Sequence, residues 1–320
     1  MFRPAHGAYP TMITPYNRDG SVDYGAVKAL TEWYFRKGCA GIFASCQSSE
    51  IHELPLEDRV KLAAVVKETA DSLAAGDSSR PPMTIVASGH ISGSFDNQLC
   101  ELRLTAETGV DSLILISNRF DIENSGDDKW CSDIDRMIGA LPDIPLGIYE
   151  CPRPFKRLLS ERMIAHITRT GRFAFIKDTC CDSDVIDRRL KQIKSAPSPA
   201  LKPVLFNANA QTLLDSLRSG AAGYCGVMCN FHPELYVKLC DIFDKEPERA
   251  ELLAALLSQA AFIEYIDYPS IAKYHLNKIG VEMNISSRTS RDATRYDRIC
   301  VDRMDLLIEK LAPDILSASR

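Results

Sequence analysis

Residues 146–179 read LGIYECPRPFKRLLSERMIAHITRTGRFAFIKDT. Two short apolar runs, 146–149 and 173–177, flank a stretch that reads as a helix. Ser160 stands where an N-cap is wanted, before Glu161 and Arg162, and Gly171 stands where a helix stops. The runs are continuously apolar, not alternating, as expected for strands buried on both faces. A strand, a helix and a second buried strand in this order form a parallel unit with a crossover.

The same unit repeats outward in both directions. Apolar runs at 8–13, 40–45, 83–88 and 112–116 precede it, and runs at 204–207 and 223–227 follow. With 146–149 and 173–177 they make eight strands. The segments between them read as helices: 23–37, 57–73, 95–108, 128–139, 160–170, 182–195 and 211–218. In the first of these Val27, Leu30, Tyr34 and Phe35 fall at helical spacing. Gly38, Gly109, Gly139 and Gly220 fall near helix ends, like Gly171. Eight strand–helix units in strict alternation predict an α/β fold, a (β/α)8 TIM barrel. An open doubly wound sheet is the alternative, but no glycine-rich dinucleotide fingerprint follows the first strand, where the sequence is ITPYNRDG.

After the eighth strand the pattern changes. Stretches 235–243, 248–266, 270–279 and 290–311 read as helices, with Pro313 as a stop after the last. The expected organisation is a barrel over 1–232 and a C-terminal helical extension over 233–320 packed on it. The clearest flexible loop is AGDSSRPP, 75–82.

The chain has 320 residues, 45% of them hydrophobic and 25% charged, enough for a sizeable core without disulfides or metals. A net charge of −5 with no basic tract argues against nucleic acid and anionic membrane as partners. No apolar run approaches a membrane span, and the first residues lack the basic start and apolar stretch of a signal peptide. The eleven cysteines include no CxxC pair and no zinc-like spacing, so reduced thiols, a cytoplasmic location and no metal are expected.

Catalytic groups of such barrels sit at the C-terminal ends of strands. That rule selects Lys177 and Tyr149, Cys46, Gln47, Ser48, Ser49 and Glu50 after the second strand, Thr11, Thr14 and Tyr16 around the first, and Asn207 and Asn209 at the seventh. Lys177 ends an apolar run, FAFIKDT. Desolvation there favours a neutral amine, which attacks a ketone to give a carbinolamine and then an iminium, an electron sink. The plain alternative is a lysine that snorkels out or pairs with Asp178. Tyr149 on the neighbouring strand could relay protons, or be an ordinary half-buried tyrosine. Ser48 and Ser49 could hold a carboxylate, or form a serine-rich turn. The charges of Arg119, Arg153 and Glu150 could line the mouth, with solvated loop charges as the default reading.

These residues, together with CQSSEIHELPLEDR, IYECP, FIKDT, GAAGYCGVMCN and YPSIAKYHLNKIG, resemble the pyruvate-dependent aldolases of the dihydrodipicolinate synthase and N-acetylneuraminate lyase family. The resemblance implies Lys177 as the Schiff-base residue and Tyr149 as its proton-relay partner. It places Ser48 and Ser49 near the pyruvate carboxylate and the Cys225 backbone near the bound pyruvate. It also implies a homotetramer, a dimer of dimers, with no metal or organic cofactor. The sequence departs from both relatives. Gln47 and Phe120 stand at the relay positions of the synthase, and Pro154, with Arg153 adjacent, at its arginine. Asn209 and Ala210 stand where the lyase carries an Asp-Glu pair.

The expected function is a Schiff-base aldolase or lyase acting on pyruvate or a related 2-oxo acid, with 3-deoxy-2-oxo sugar acids among its substrate classes. The candidate substrate-binding residues are Ser48, Ser49, Thr14, Gln47, Cys225, Asn207, Asn209 and Arg153. Dihydrodipicolinate synthase activity is a second reading. A 2-oxo-acid-binding regulatory protein without turnover is a third.

Overall fold

The computed structural model describes residues 2–197 and 202–317. Eight parallel strands form its centre: β1 (Gly7–Pro10), β2 (Gly41–Phe43), β3 (Thr84–Ala87), β4 (Ser112–Ile116), β5 (Leu146–Tyr149), β6 (Phe173–Asp178), β7 (Val204–Asn207) and β8 (Gly223–Gly226). From β2 to β8 each strand pairs with the next in sequence, and β8 pairs with β1. The remaining seam is bridged where the Ala40 amide donates to Ala8 O at 3.0 Å and the Met12 amide to Phe43 O at 3.0 Å. The eightfold alternation therefore closes into the expected barrel.

Helices cover the outside: α1 (Tyr24–Arg36), α2 (Leu56–Gly76), α3 (Phe95–Ala106), α4 (Asp127–Ala140), α5 (Glu161–Thr170), α6 (Ser183–Ser195), α7 (Leu213–Arg218) and α8 (Pro233–Ile242). The capping signals hold: the Ser160 hydroxyl accepts the Met163 amide at 3.2 Å, and Gly171 closes α5 at φ 65°. The run 75–82 is only partly loop, since α2 continues through Gly76.

Aromatic rings fill the inside of the barrel. Phe175 stacks on Phe206 with centroids 4.4 Å apart, and Tyr9 leans on Phe206 at 4.6 Å. Gly147 gives them room, because a Cβ there would lie 2.3 Å from Ile114 Cδ1. At the β1–β8 seam, Gly223 has φ +154°, and a Cβ would fall 1.9 Å from Gly7 O, so only glycine fits. Lys177 lies one pleat above Phe175, on the same inward face.

Beyond the barrel lie α9 (Pro247–Ala260), α10 (Ser270–Lys278) and α11 (Arg295–Ser317). Their apolar stripes share one core with α1 and α2, through Val27, Leu62, Leu239, Leu253, Ile271 and Val301. The boundary at 232 thus separates β8 from α8, which packs on β1 as the barrel's own eighth helix. Two expectations are corrected here. Pro313 does not stop the last helix but lies inside α11. The buried stripe Val301, Met304, Ile308 and Ala312 continues to Ile315 and Leu316, and Arg249 holds the last carbonyls by donating to Ile315 O at 3.0 Å and to Leu316 O. The helix read over 248–266 ends at Ala260 and tightens into a 3-10 turn, Ala261–Tyr265.

Behind the β5–β6 pair lies a buried ion cluster. Arg189 of α6 reaches Glu150 Oε1 at 2.8 Å and also the carboxylate of Asp178. Glu150 further accepts the amides of Leu159 at 2.7 Å and Thr179 at 2.8 Å. Arg189→Met should strand two buried carboxylates and lower stability by about 3–5 kcal/mol. Urea unfolding at neutral pH measures this, and a change within error would show that the cluster does not brace the barrel.

Candidate active site

A cavity of about 460 Å³ opens at the C-terminal ends of the strands. Its floor is set by strand register. Tyr149 and Lys177 are direct partners across the β5–β6 ladder, so both side chains point into the barrel. Lys177 is 4% exposed. Its Nζ lies 4.4 Å from the Tyr149 ring centroid and 5.4 Å from that of Phe43. No carboxylate lies within salt-bridge distance of this ammonium among the described residues. Asp178 turns outward to Arg189, which removes the alternative of a Lys177–Asp178 pair. Burial, with the Cys151 and Cys46 thiols nearby, holds the Tyr149 phenol well above its ordinary range.

The loop after β2 forms one wall. Gln47–Ser49 make a short helical turn, closed by Glu50 in the left-handed region at φ 60°. Gln47 and Ser48 line the cavity. The Ser48 hydroxyl donates to Thr11 Oγ1 at 3.1 Å, and Gln47 Oε1 accepts the Cys151 thiol at 3.4 Å. Ser49 points the other way. Its hydroxyl donates to Met12 O at 2.7 Å and Ala44 O at 2.9 Å, tying β1 to β2. The Thr14 hydroxyl is occupied by Ser49 O at 2.7 Å.

Glu50 also reaches the cavity, with one carboxylate oxygen fully engaged and the other facing Lys273. Oε1 accepts the amides of Arg288 at 2.6 Å and Thr289 at 2.8 Å and the Ser287 hydroxyl at 2.7 Å. It thereby pins the segment before α11 at the mouth, with Lys273 Nζ at 3.9 Å from Oε2. Burial depresses the Lys273 ammonium to about 8 while Glu50 pulls it back up.

The other candidates divide in the same way. Asn209 lines the cavity, and its Oδ1 accepts the Thr212 amide at 3.0 Å. Asn207 is fully buried and donates to Thr212 and Ser216, at 3.0 and 3.1 Å, so it braces the loop after β7. Cys225 is buried in the barrel, and burial lifts its thiol to about 12 with Lys177 lowering it. The backbone beyond it, Gly226, lines the cavity. Arg153 lines the cavity, on a loop that Asn118 Nδ2 anchors by donating to the Cys151 and Arg153 carbonyls at 2.9 Å. Glu150 is neither a mouth residue nor a solvated charge, because it is fully buried on Arg189. Arg119 faces a separate surface pocket and donates to Ile91 O at 3.0 Å. Phe120 is 3% exposed, packed between His90 and Trp130 with centroids at 5.7 and 6.1 Å.

Sequence reasoning missed His52, Lys156, Glu264 and Tyr268, all of which line the cavity. Tyr268 had a signal in YPSIAK, but Glu264 and His52 had none, since neither lies at a strand end. Burial raises the Glu264 carboxyl to about 7, with Lys177 lowering it. Burial depresses His52, helped by Arg119 and Arg153. Among the described residues, His232, His275 and Asp305 bring ligand atoms within 4.8 Å of one another. They lie outside the cavity. Asp305 is held by the Lys278 ammonium at 2.8 Å, and His275 is spanned between Asp305 and Phe231 O.

The model of the dihydrodipicolinate synthetase family matches residues 4–290. The 4-hydroxy-tetrahydrodipicolinate synthase of Methanothrix thermoacetophila is 23% identical over 280 residues, covering 86% of this chain and 87% of that protein. The dihydrodipicolinate synthase structure from Rhodopseudomonas palustris superposes with a TM-score of 0.82 at 18% identity, over 96% of this chain and 99% of that one. YagE of Escherichia coli K12, a prophage protein of the dihydrodipicolinic acid synthase family solved with pyruvate, gives 0.81 at 16%, over 96% and 98%. At such identities the two structures establish the shared fold.

Ser49→Ala removes a hydroxyl that ties two strands together and should cost about 1–3 kcal/mol of stability. Ser48→Ala, at the cavity wall, loses one hydroxyl contact to Thr11 and should cost less, about 0.5–1 kcal/mol. Denaturant titration of both variants checks this pair, and equal losses would contradict the assignment.

Proposed function

The chain belongs to the dihydrodipicolinate synthetase family, and from that premise we propose that it is a class I aldolase or lyase holding pyruvate, or a related 2-oxo acid, as a Schiff base on Lys177. One observation carries the reading: a buried lysine with no carboxylate at salt-bridge distance among the described residues, beside a phenol, at the floor of a cavity at the C-terminal ends of the strands. An amine placed there can attack the ketone of a 2-oxo acid. Tyr149 would move protons as the carbinolamine loses water. Ser48 would meet the carboxylate of the 2-oxo acid, and Gly226, next to Cys225, would flank it. Asn209, Gln47 and Arg153 would face the remainder of the substrate. No organic cofactor is required by this chemistry, because the iminium supplies the electron sink.

The lining of the cavity includes Arg153, Lys156 and Asn209. These suit a substrate tail bearing hydroxyls and a carboxylate, the pattern of a 3-deoxy-2-oxo sugar acid. Condensation of pyruvate with aspartate semialdehyde is the second reading, favoured by the names of the relatives. Against it, Phe120 is packed inside its own chain and has no proton to transfer. Pyruvate released from a panel of 2-oxo sugar acids supports the first reading; turnover of aspartate semialdehyde with pyruvate supports the second.

A cytoplasmic homotetramer fits this reading. Tyr296, Ile299, Leu307 and Leu311 leave an exposed apolar stripe on α11, suited to burial against another subunit. Light scattering should give four times the chain mass, and a monomer would refute the assembly.

Incubation with pyruvate and borohydride should add a pyruvate-sized mass to Lys177, and Lys177→Ala should show none. An unmodified Lys177 in folded protein would sink the Schiff-base reading for pyruvate. Tyr149→Phe should still form the adduct, while turnover falls by about 10²–10⁴-fold. Turnover near the wild-type rate would remove Tyr149 from the mechanism.

A further inference from the structure

The 3-10 turn Ala261–Tyr265 brings Glu264 to the cavity that holds Lys177 and Tyr149. Glu264 is half-buried, yet it has no ion pair and no hydrogen bond among the described residues. Its carboxylate is therefore open to the cavity. The other carboxylate of the cavity, Glu50, is held in place through Oε1 by the segment 287–289, with Oε2 beside Lys273. His52, also unpartnered at Nε2, stands among Arg119, Arg153 and Arg59, whereas Glu264 stands opposite Lys177. Titratable groups within electrostatic reach of Glu264 include Lys177 of β6, Cys181 just beyond it, Tyr224 of β8, Tyr236 of α8, and Tyr265 and Tyr268 beside it in the chain. Lys177 is the one basic group among them.

We propose that Glu264 is the base that removes, and the acid that returns, the proton on the carbon next to the Schiff-base carbon held by Lys177. The assignment rests on the Schiff-base reading above. In the iminium formed from pyruvate, the Glu264 carboxylate takes a methyl proton. The C–H electron pair becomes the carbon–carbon double bond, and the C=N⁺ pair moves onto nitrogen, leaving a neutral enamine and a carboxylic acid. The enamine carbon then recovers a proton from Glu264. Alternatively it attacks an aldehyde, and the Glu264 acid protonates the new alkoxide. Tyr149 keeps the proton transfers of carbinolamine dehydration. Burial sets Glu264 near 7, where one group can both accept and donate. Its partial exposure lets it exchange that proton with solvent.

Pyruvate alone is the probe. The full chain is incubated with pyruvate in deuterated buffer, methyl deuteration is followed by proton NMR across the neutral range, and borohydride trapping at Lys177 is run in parallel. Wild type should trap pyruvate and deuterate it, at a rate that rises through about pH 7 and then levels. Glu264→Gln breaks no ion pair and should fold and trap pyruvate as before. It should deuterate at least about 100-fold more slowly, without the limb near neutrality. In Glu264→Ala, added formate should restore part of the exchange, which a merely structural role would not permit. A Gln variant that traps pyruvate and exchanges at the wild-type rate with the same limb overturns the proposal. So does a wild type that traps without exchanging, or an Ala variant that traps but ignores formate. Failure of wild type to trap pyruvate would instead strike the Schiff-base reading, and this assignment would fall with it.

Discussion

Arg189, buried on α6 behind the β5–β6 pair, is the residue on which the site depends. It binds Glu150, one residue past Tyr149, and Asp178, one residue past Lys177. Adjacent residues of a strand face opposite sides. Two carboxylates fixed outward therefore fix the preceding tyrosine and lysine inward. The ladder makes Tyr149 and Lys177 register partners, and the ion cluster keeps the strand ends from fraying where the ladder stops. A buried pair of this kind is weak evidence for net stability, because desolvation opposes the Coulombic gain. Its value here is geometric.

Above that pair, the barrel has two unlike halves. The lower half is filled by Tyr9, Phe175 and Phe206, whose stacked rings exclude water. The upper half is lined by groups from several loops. The turn after β2 supplies Gln47 and Ser48, and the loop after β5 supplies Arg153 and Lys156. The C-terminal helical segment supplies Glu264 and Tyr268. That segment is part of the site because it shares a core with α1 and α2 and is pinned at the mouth by Glu50. Polar chemistry thus gathers where the ring packing ends.

The barrel was legible because strand burial on both faces and helix caps are local signals. Lys177 and Tyr149 were legible for the same reason, each closing an apolar strand at the catalytic end. Other residues were not. Ser48 and Ser49 are neighbours with the same side chain, and only the fold shows that one faces the cavity while the other bonds Met12 O and Ala44 O. Glu150 read as a loop charge because its partner lies 39 positions away, on α6. Pro313 read as a helix stop because a missing amide is a local defect, whereas the partial burial of Ile315 and Leu316 and the Arg249 bonds that hold the turn beyond it come from distant parts of the chain.

The sequence by itself determined the periodicities, and with them the eight strands, the covering helices and the lysine at the end of the sixth strand. Those follow from which side chains avoid water within a few residues of one another. Tertiary structure alone decided which polar groups meet. Glu264 lies 87 positions from Lys177, and no local pattern links them. Closure of the barrel and docking of the C-terminal helices bring both to one cavity, where burial and charge act through space regardless of distance along the chain.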